Sequence, residues 1–162
     1  MSAQGIQFQE PLSSFRFLVR LGDSQGISAA FSRFSGVKME METIQNRNGN
    51  DNRGVKEYTP VFTSFAPVTL SKGVVGDNEF LNWMLSASAG ALTGPSGINL
   101  RRTIDVIAVD PAGNPMATWT LLGAMPIGYE LSPMDSSRSE VLTESITFAI
   151  TGMKRTTQPP PQ

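Results

Sequence analysis

The sequence predicts a mostly β domain, a β-sandwich or small β-barrel with one short helix. Three observations carry that expectation. Runs of apolar and polar alternation recur along the chain and are separated by turn residues. A single segment, following Asp77, changes to helical spacing. The length of 162 residues fits one domain, large enough to hold a core without covalent staples.

In chain order, Phe15, Phe17, Val19 and Leu21 alternate with Arg16, Leu18 and Arg20, and Gly22-Asp23 closes this first strand. Ile27 to Phe34 reads as a second strand, turned by Ser35-Gly36. Val37, Met39 and Met41 alternate with Lys38, Glu40 and Glu42, the pattern of a half-buried strand. Gln45 to Gly54 contains no core-forming residue and is expected as an exposed loop or hairpin tip. Val55 to Phe62 and Pro67 to Leu70 read as strands.

Asp77 is placed to cap a helix over about Asn78 to Ser88, with Phe80, Trp83, Met84 and Ala87 on one face and Leu81 and Leu85 widening it. Ser86 to Asn99 is rich in Ser, Ala and Gly and reads as a flexible connection. Thr103 to Val109 and Met116 to Leu122 flank the turn Asp110-Pro111-Ala112-Gly113-Asn114 as a hairpin. Pro126 to Leu131 is a further short strand. The last strand spans Val141 to Gly152, with Leu142, Ile146, Phe148 and Ile150 on one side and Thr143, Ser145, Thr147, Ala149 and Thr151 on the other. The boundaries expected are an N-terminal arm over 1–14, the β domain over 15–153 and a flexible Pro-rich tail over 154–162.

Composition narrows the function. Lys+Arg 13 against Asp+Glu 14 leaves a formal charge of −1, without the basic stripe of a nucleic-acid binder. Charged residues are 17% against an ordinary value of about 25%, and a nearly neutral, charge-poor surface favours self-association. The chain has no Cys and no His. Thiolate chemistry, disulfides and Cys-ligated metals are therefore excluded, along with the commonest general base and metal ligand. No cofactor or metal is expected. Met1 to Phe17 lacks the features of a secretory signal, and no stretch approaches the roughly 20 apolar residues of a membrane helix. Synthesis as a soluble cytoplasmic chain is expected.

Several motifs invite chemistry and fail on physical grounds. Asn46, Asn48, Asn50, Asn52 and Glu57 mimic calcium-loop spacing, but Asp51 stands where the loop needs Gly, and Arg47, Arg53 and Lys56 outnumber Asp51 and Glu57. Ser35-Gly36-Val37-Lys38 spells S-x-x-K across a turn rather than on one helical face. Glu40 and Glu42 share a strand face about 7 Å apart, yet Lys38 lies on the same face and nothing separates their acidities as a glycosidase pair requires. Gly90 to Gly97 lacks the Gly-Lys-Ser/Thr of a phosphate loop. Trp83 and Trp119 fit core or interface anchoring. The eight Met residues, Met39, Met41, Met84, Met125 and Met134 among them, suit adaptable packing surfaces.

Phe15-Arg16-Phe17-Leu18-Val19 comes first, and Ala30-Phe31-Ser32-Arg33-Phe34-Ser35-Gly36-Val37 precedes the Glu-bearing strand. Thr69-Leu70-Ser71-Lys72-Gly73-Val74 with Glu79 to Trp83 follows, then Arg102 to Trp119 with its Asp-x-x-Gly-Asn-Pro turn. Ala124-x-Pro126 and Glu144 to Gly152 complete the series. In this order the motifs bear a resemblance to the contractile-tail tube proteins, the family of phage tail tubes and the inner tubes of extracellular contractile injection systems. It covers roughly Phe15 to Met153; the Ser86 to Asn99 connection is longer than usual. The resemblance implies a tail-tube-like fold whose copies form a six-membered ring with a continuous inner β-barrel. Rings would stack into a rigid hollow tube driven through a target membrane by sheath contraction.

On this reading the chain is a structural subunit rather than an enzyme. Its expected partners are other copies of itself, sheath and baseplate or spike proteins, and protein cargo or DNA in the bore; a membrane enters only as the punctured target. Asn46, Arg47, Asn48, Asn50, Asp51, Asn52 and Arg53 are the expected ring-stacking loop. Lys38, Glu40 and Glu42, or Thr143, Ser145, Thr147 and Thr151, are expected to face the lumen. The competing reading is a monomeric β-sandwich module that binds carbohydrate through the Asn-rich loop. A carboxylate-only hydrolase built on Glu40 and Glu42 is a third.

Overall fold

The computed structural model describes residues 16–22, 29–46, 56–73, 79–93, 101–137 and 140–157. The first strand, β1 (Arg16–Leu21), turns Val19 and Leu21 fully inward and leaves Arg16 exposed, as its alternation demands. The second expected strand is divided. β2 (Ala29–Phe31) pairs with β1, whereas β3 (Arg33–Phe34) pairs with β6 (Val68–Gly73). Ser32 stands between them, its N–H and its hydroxyl both donating to Ser71 O, at 2.9 and 3.2 Å.

β4 (Met39–Asn46) and β5 (Glu57–Phe65) form a separate two-stranded hairpin, with a bulge between Glu42 and Thr43. β7 (Arg102–Val109) joins β8 (Pro115–Leu131) through the expected turn. There the Asn114 N–H donates to Asp110 Oδ1 at 2.8 Å and Gly113 takes a φ of 89°, a value that favours glycine. β9 (Thr143–Ala149) and β10 (Gly152–Thr157) follow.

The eight-stranded sheet has the order β2-β1-β7-β8-β9-β6-β3, with β10 also pairing β8. Its two ends, β2 and β3, are consecutive in the chain, so the sheet folds back on itself into two layers. One layer contains β2, β1, β7, the first half of β8 and β10; the other contains the second half of β8, β9, β6 and β3. β8 passes between the layers at Gly123, whose φ of 60° and contact with the Thr151 side chain leave no room for a Cβ. On the outer face of the first layer, Arg20, Asp105 and Thr120 form a cross-strand row. Arg20 Nη2 and Thr120 Oγ1 each donate to the Asp105 carboxylate at 2.7 Å.

The helix α1 (Glu79–Thr93) packs on β8 and inserts Phe80 and Trp83 into the core. Phe80 meets Phe31 edge-on at 5.3 Å, and Trp83 stacks on Phe148 at 5.4 Å, geometries that suit the aromatic quadrupole. Val68, Leu70, Ile104, Val106, Leu121 and Ile146 complete a dry interior.

Several expectations are corrected. The helix continues to Thr93, through half of the stretch read as a flexible connection, because Ala87, Ala89 and Ala91 are strong helix formers. Leu85 does not widen the buried face; it is exposed. Met116–Leu122 and Pro126–Leu131 are parts of one bent strand. β5 runs to Phe65 and β6 to Gly73, beyond the ends expected. The last strand stops at Ala149, and Lys154 to Thr157, read as the start of a tail, pair with β8 in β10. The arm 1–14, Asp77 and residues 158–162 lie outside the described residues.

Candidate functional site

Three surfaces follow from this topology. The first is the open face of the second layer. Alternation on β6 sends Val68 and Leu70 inward and Thr69 and Ser71 outward; β9 does the same with Ile146 and Phe148 against Ser145 and Thr147. Register then pairs like with like. Thr69 and Thr147 hydroxyls lie 3.1 Å apart, and Ser71 and Ser145 hydroxyls 2.8 Å apart. The Thr69 N–H donates to Ser35 Oγ at 2.9 Å. These hydroxyls floor an open depression of about 430 Å³ flanked by Arg33 and Glu130. The surface is polar and carries one charge of each sign.

Of the residues expected to face a lumen, Thr143, Ser145 and Thr147 therefore share one face. Thr151 leaves it: beyond the end of β9, its hydroxyl donates to Leu122 O at 3.2 Å. Thr69 and Ser71 join this face without having been singled out from the sequence, although they alternate with Val68 and Leu70 in the same period-two frame.

The second surface is the β4–β5 hairpin. Lys38, Glu40 and Glu42 are all exposed there, on an element that does not pair with β9. Lys38 Nζ sits 2.7 Å from Glu40 Oε1 with both side chains largely in solvent, an arrangement worth little to stability. The hydrogen bond and the opposite charge together hold the Glu40 carboxyl below its ordinary range and the Lys38 ammonium above its own. Glu40 is thus the paired, ionised member, the reverse of a raised general acid, and Glu42 faces open solvent.

Met39 and Met41 were expected to be half-buried, and this is corrected: they are 48% and 55% exposed, with Ile44, Tyr58 and Phe62 at 54%, 60% and 68%. Only Val37 and Phe65, at the root, pack on the core. Gln45 and Asn46, assigned to the loop, are the last residues of β4, with Asn46 opposite Glu57. Arg47, Asn48, Asn50, Asp51, Asn52 and Arg53 lie outside the described residues.

The third feature is a buried ion pair. Lys72 and Glu144 are direct cross-strand partners with Nζ and Oε1 3.3 Å apart, and they are 2% and 8% exposed. The Tyr129 hydroxyl donates to Glu144 Oε2 at 3.1 Å, and Lys72 Nζ lies 5.7 Å from the centre of the Phe31 ring. Partial burial first, and the carboxylate it donates to second, push the Tyr129 phenol up. Lys72 and Glu144 each fall on the apolar side of their strand's alternation, a signal present in the sequence and passed over.

No group of three or more acidic or His/Cys side chains that could hold a metal occurs among the described residues, and no helix there is long and apolar enough to cross a membrane. Trp83 is buried and Trp119 is partly buried against the core, the anchoring positions expected of them.

A family model described as T4-like virus tail tube protein gp19 matches residues 13–154. The chain belongs to this family. It is a tail-tube protein, related to structural components of phage tails and contractile injection systems. No curated protein matches it. Among solved structures it is similar to a chain of the PVC extracellular contractile injection system, in the sheath-tube complex in its extended state. That match has a TM-score of 0.74 and 22% identity and covers 98% of this chain and 99% of the other. A chain of the anti-feeding prophage tube-terminating cap matches with TM-score 0.72 and 25% identity, over 94% and 95%. One from the six-fold symmetrised baseplate of the same prophage matches at 0.70 and 19%, over 93% and 98%. The tail-tube-like β fold read from the sequence is borne out by these likenesses.

Proposed function

We propose that this tail-tube protein is the repeating unit of a hollow inner tube. Six copies close a ring, rings stack, and the tube acts as a rigid piston pushed through a target membrane when a surrounding sheath shortens. The observation that carries this reading is the family match over residues 13–154. Likeness to chains from sheath-tube, cap and six-fold baseplate assemblies supports ring order and tail partners. The role is structural, and no residue performs covalent chemistry.

The hydroxyl face of β6 and β9, with Thr143, Ser145 and Thr147, lines the bore. A mutually hydrogen-bonded Ser/Thr surface keeps a wet wall of low charge along which a protein or nucleic-acid cargo slides without sticking. The polar stretch from Asn46 through Arg53 stacks one ring on the next through hydrogen bonds worth about 0.5–1.5 kcal/mol each, repeated around the ring and strengthened by effective concentration.

Light scattering and negative-stain electron microscopy of the purified chain test the reading. Rings or tubes with a central hole are the expected result. A chain that stays monomeric even with baseplate present, and that binds glycans, overturns it in favour of the carbohydrate module.

A further inference from the structure

The pairing of β6 with β9 is repetitive, and repetition leaves a register poorly specified. Its outward row sets hydroxyl against hydroxyl, Thr69 with Thr147 and Ser71 with Ser145. Its inward row sets apolar against apolar, Val68 with Phe148 and Leu70 with Ile146. A slip of one residue would turn every apolar side chain to the wrong face, and burial forbids it. A slip of two residues keeps the faces. Moved one way, it sets Ser71 opposite Thr147 and Leu70 opposite Phe148; moved the other way, it sets Ser71 opposite Thr143 and Val68 opposite Ile146. In both, hydroxyls still meet hydroxyls and apolar side chains still meet apolar ones.

One pair breaks the repetition. Lys72 and Glu144 stand opposite each other on the inward row, both buried, with Nζ and Oε1 3.3 Å apart. Either slip carries Lys72 about 7 Å along β9 and sets it opposite Ile146 or Leu142. The two charges then lie apart in an apolar interior, and a buried charge without its partner is strongly destabilising. Both groups are held from further strands as well. The Tyr129 hydroxyl of β8 donates to Glu144 Oε2 at 3.1 Å, and the Phe31 ring of β2 lies 5.7 Å from Lys72 Nζ. The carboxylate is thus a fixed post, with one oxygen toward β8 and the other toward β6.

We propose that the Lys72–Glu144 pair is a register lock. It selects one alignment of β6 on β9 from three that the remaining residues of the two strands accept, and this selection, more than added stability, is its role. The alignment matters beyond the two strands, because β6 leads in the chain to α1, whose Phe80 and Trp83 enter the core.

Disulfide trapping tests the lock. The chain has no cysteine, so an introduced pair stands alone and closes only where the Cβ atoms come within about 3.5–4.5 Å. Ser71→Cys with Ser145→Cys reports the native alignment. Ser71→Cys with Thr147→Cys, and Ser71→Cys with Thr143→Cys, report the two slips, since these diagonal positions are roughly 7 Å apart in the native sheet. Each pair is made in the wild-type background and again beside Lys72→Met with Glu144→Leu. With the ion pair present, only the native reporter closes under mild oxidation, read by thiol alkylation and mass spectrometry. Without it, the yield of at least one slip reporter rises at least tenfold while circular dichroism remains that of the folded chain.

Slip reporters that stay open in the folded Lys72→Met, Glu144→Leu background overturn the proposal, because the rest of the strands then fix the register unaided. Slip reporters that close as readily in the wild-type background overturn it as well, as does a native reporter that stays open there. A doubly substituted chain that does not fold also overturns it, since the charges would then serve stability itself. None of these outcomes touches the tube reading, which rests on other observations.

Discussion

The core sandwich and the β4–β5 hairpin are built from similar strand patterns, and they end in opposite conditions. β1, β7 and β9 alternate, and their apolar sides are buried. β4 alternates as cleanly, with Met39 and Met41 in register, yet both remain about half exposed. The difference is the presence of a facing layer. Alternation states that a strand needs cover and says nothing of which chain supplies it. The core finds its cover within the subunit, whereas the hairpin folds as a two-stranded arm of a kind that is only marginally stable alone.

Substitutions that remove matching groups from the two regions separate them most sharply. Phe148→Ala deletes a fully buried ring that touches both Phe80 and Trp83, and urea unfolding of the monomer should register a loss of about 3–5 kcal/mol. Lys72→Met strands a buried carboxylate and is expected to cost about 3 kcal/mol. Adding Glu144→Leu should recover most of it, because an apolar pair of similar volume suits that site; a double variant no better than the single would show that the charges carry more than their own compensation.

Gly123→Ala is next, at about 1–3 kcal/mol for a side chain at positive φ. Thr151→Ala in the same chain should recover the crowding share and leave the backbone share. Phe62→Ala should leave monomer stability within about 0.5 kcal/mol while weakening assembly, and a large stability loss would mean that the hairpin is cooperative with the core.

The smallest effect is an acid one. The Asn114 backbone N–H foremost, then its amide, hold the Asp110 carboxyl below its ordinary value. A depressed folded pKa adds stability above an unfolded value of about 3.9, lost as pH falls through the folded value. The wild-type urea midpoint should therefore drop below about pH 4 more steeply than that of Asp110→Asn, and parallel curves would remove Asp110 from the acid response.

How much of this was legible follows from the range of each interaction. The face of α1 through Phe80, Trp83 and Ala87, the Asp110 turn and the inward residues of β1 and β9 rest on local periodicity, and the sequence carried them. The helix end was missed because small residues suit both a helix and a linker. β10 was missed because Lys154 and Arg155 read as solvent-loving, when charges are what a natural edge strand carries. The division at Ser32 and the Lys72–Glu144 pair depend on residues about 40 and about 70 positions away in the chain, and the continuity of β8 depends on its pairing with β7 and then β9, none of which a local pattern reports. The same applies to the candidate bore: Thr143, Ser145 and Thr147 were visible on one strand, and Thr69 and Ser71 joined them only through register.

Apart from the longer path from β6 through α1 to β7, the two layers are joined directly, among the described residues, at three places, Ser32, Gly123 and the bend at Ile150-Thr151. Sliding one layer over the other would therefore have to stretch or bend backbone at every one of them, instead of merely exchanging side-chain contacts. Gly123 and Thr151 touch, so two of the three stitches share a single spot. Resistance to shear in this subunit is thus a property of its covalent path, concentrated where a glycine lets one strand turn the corner.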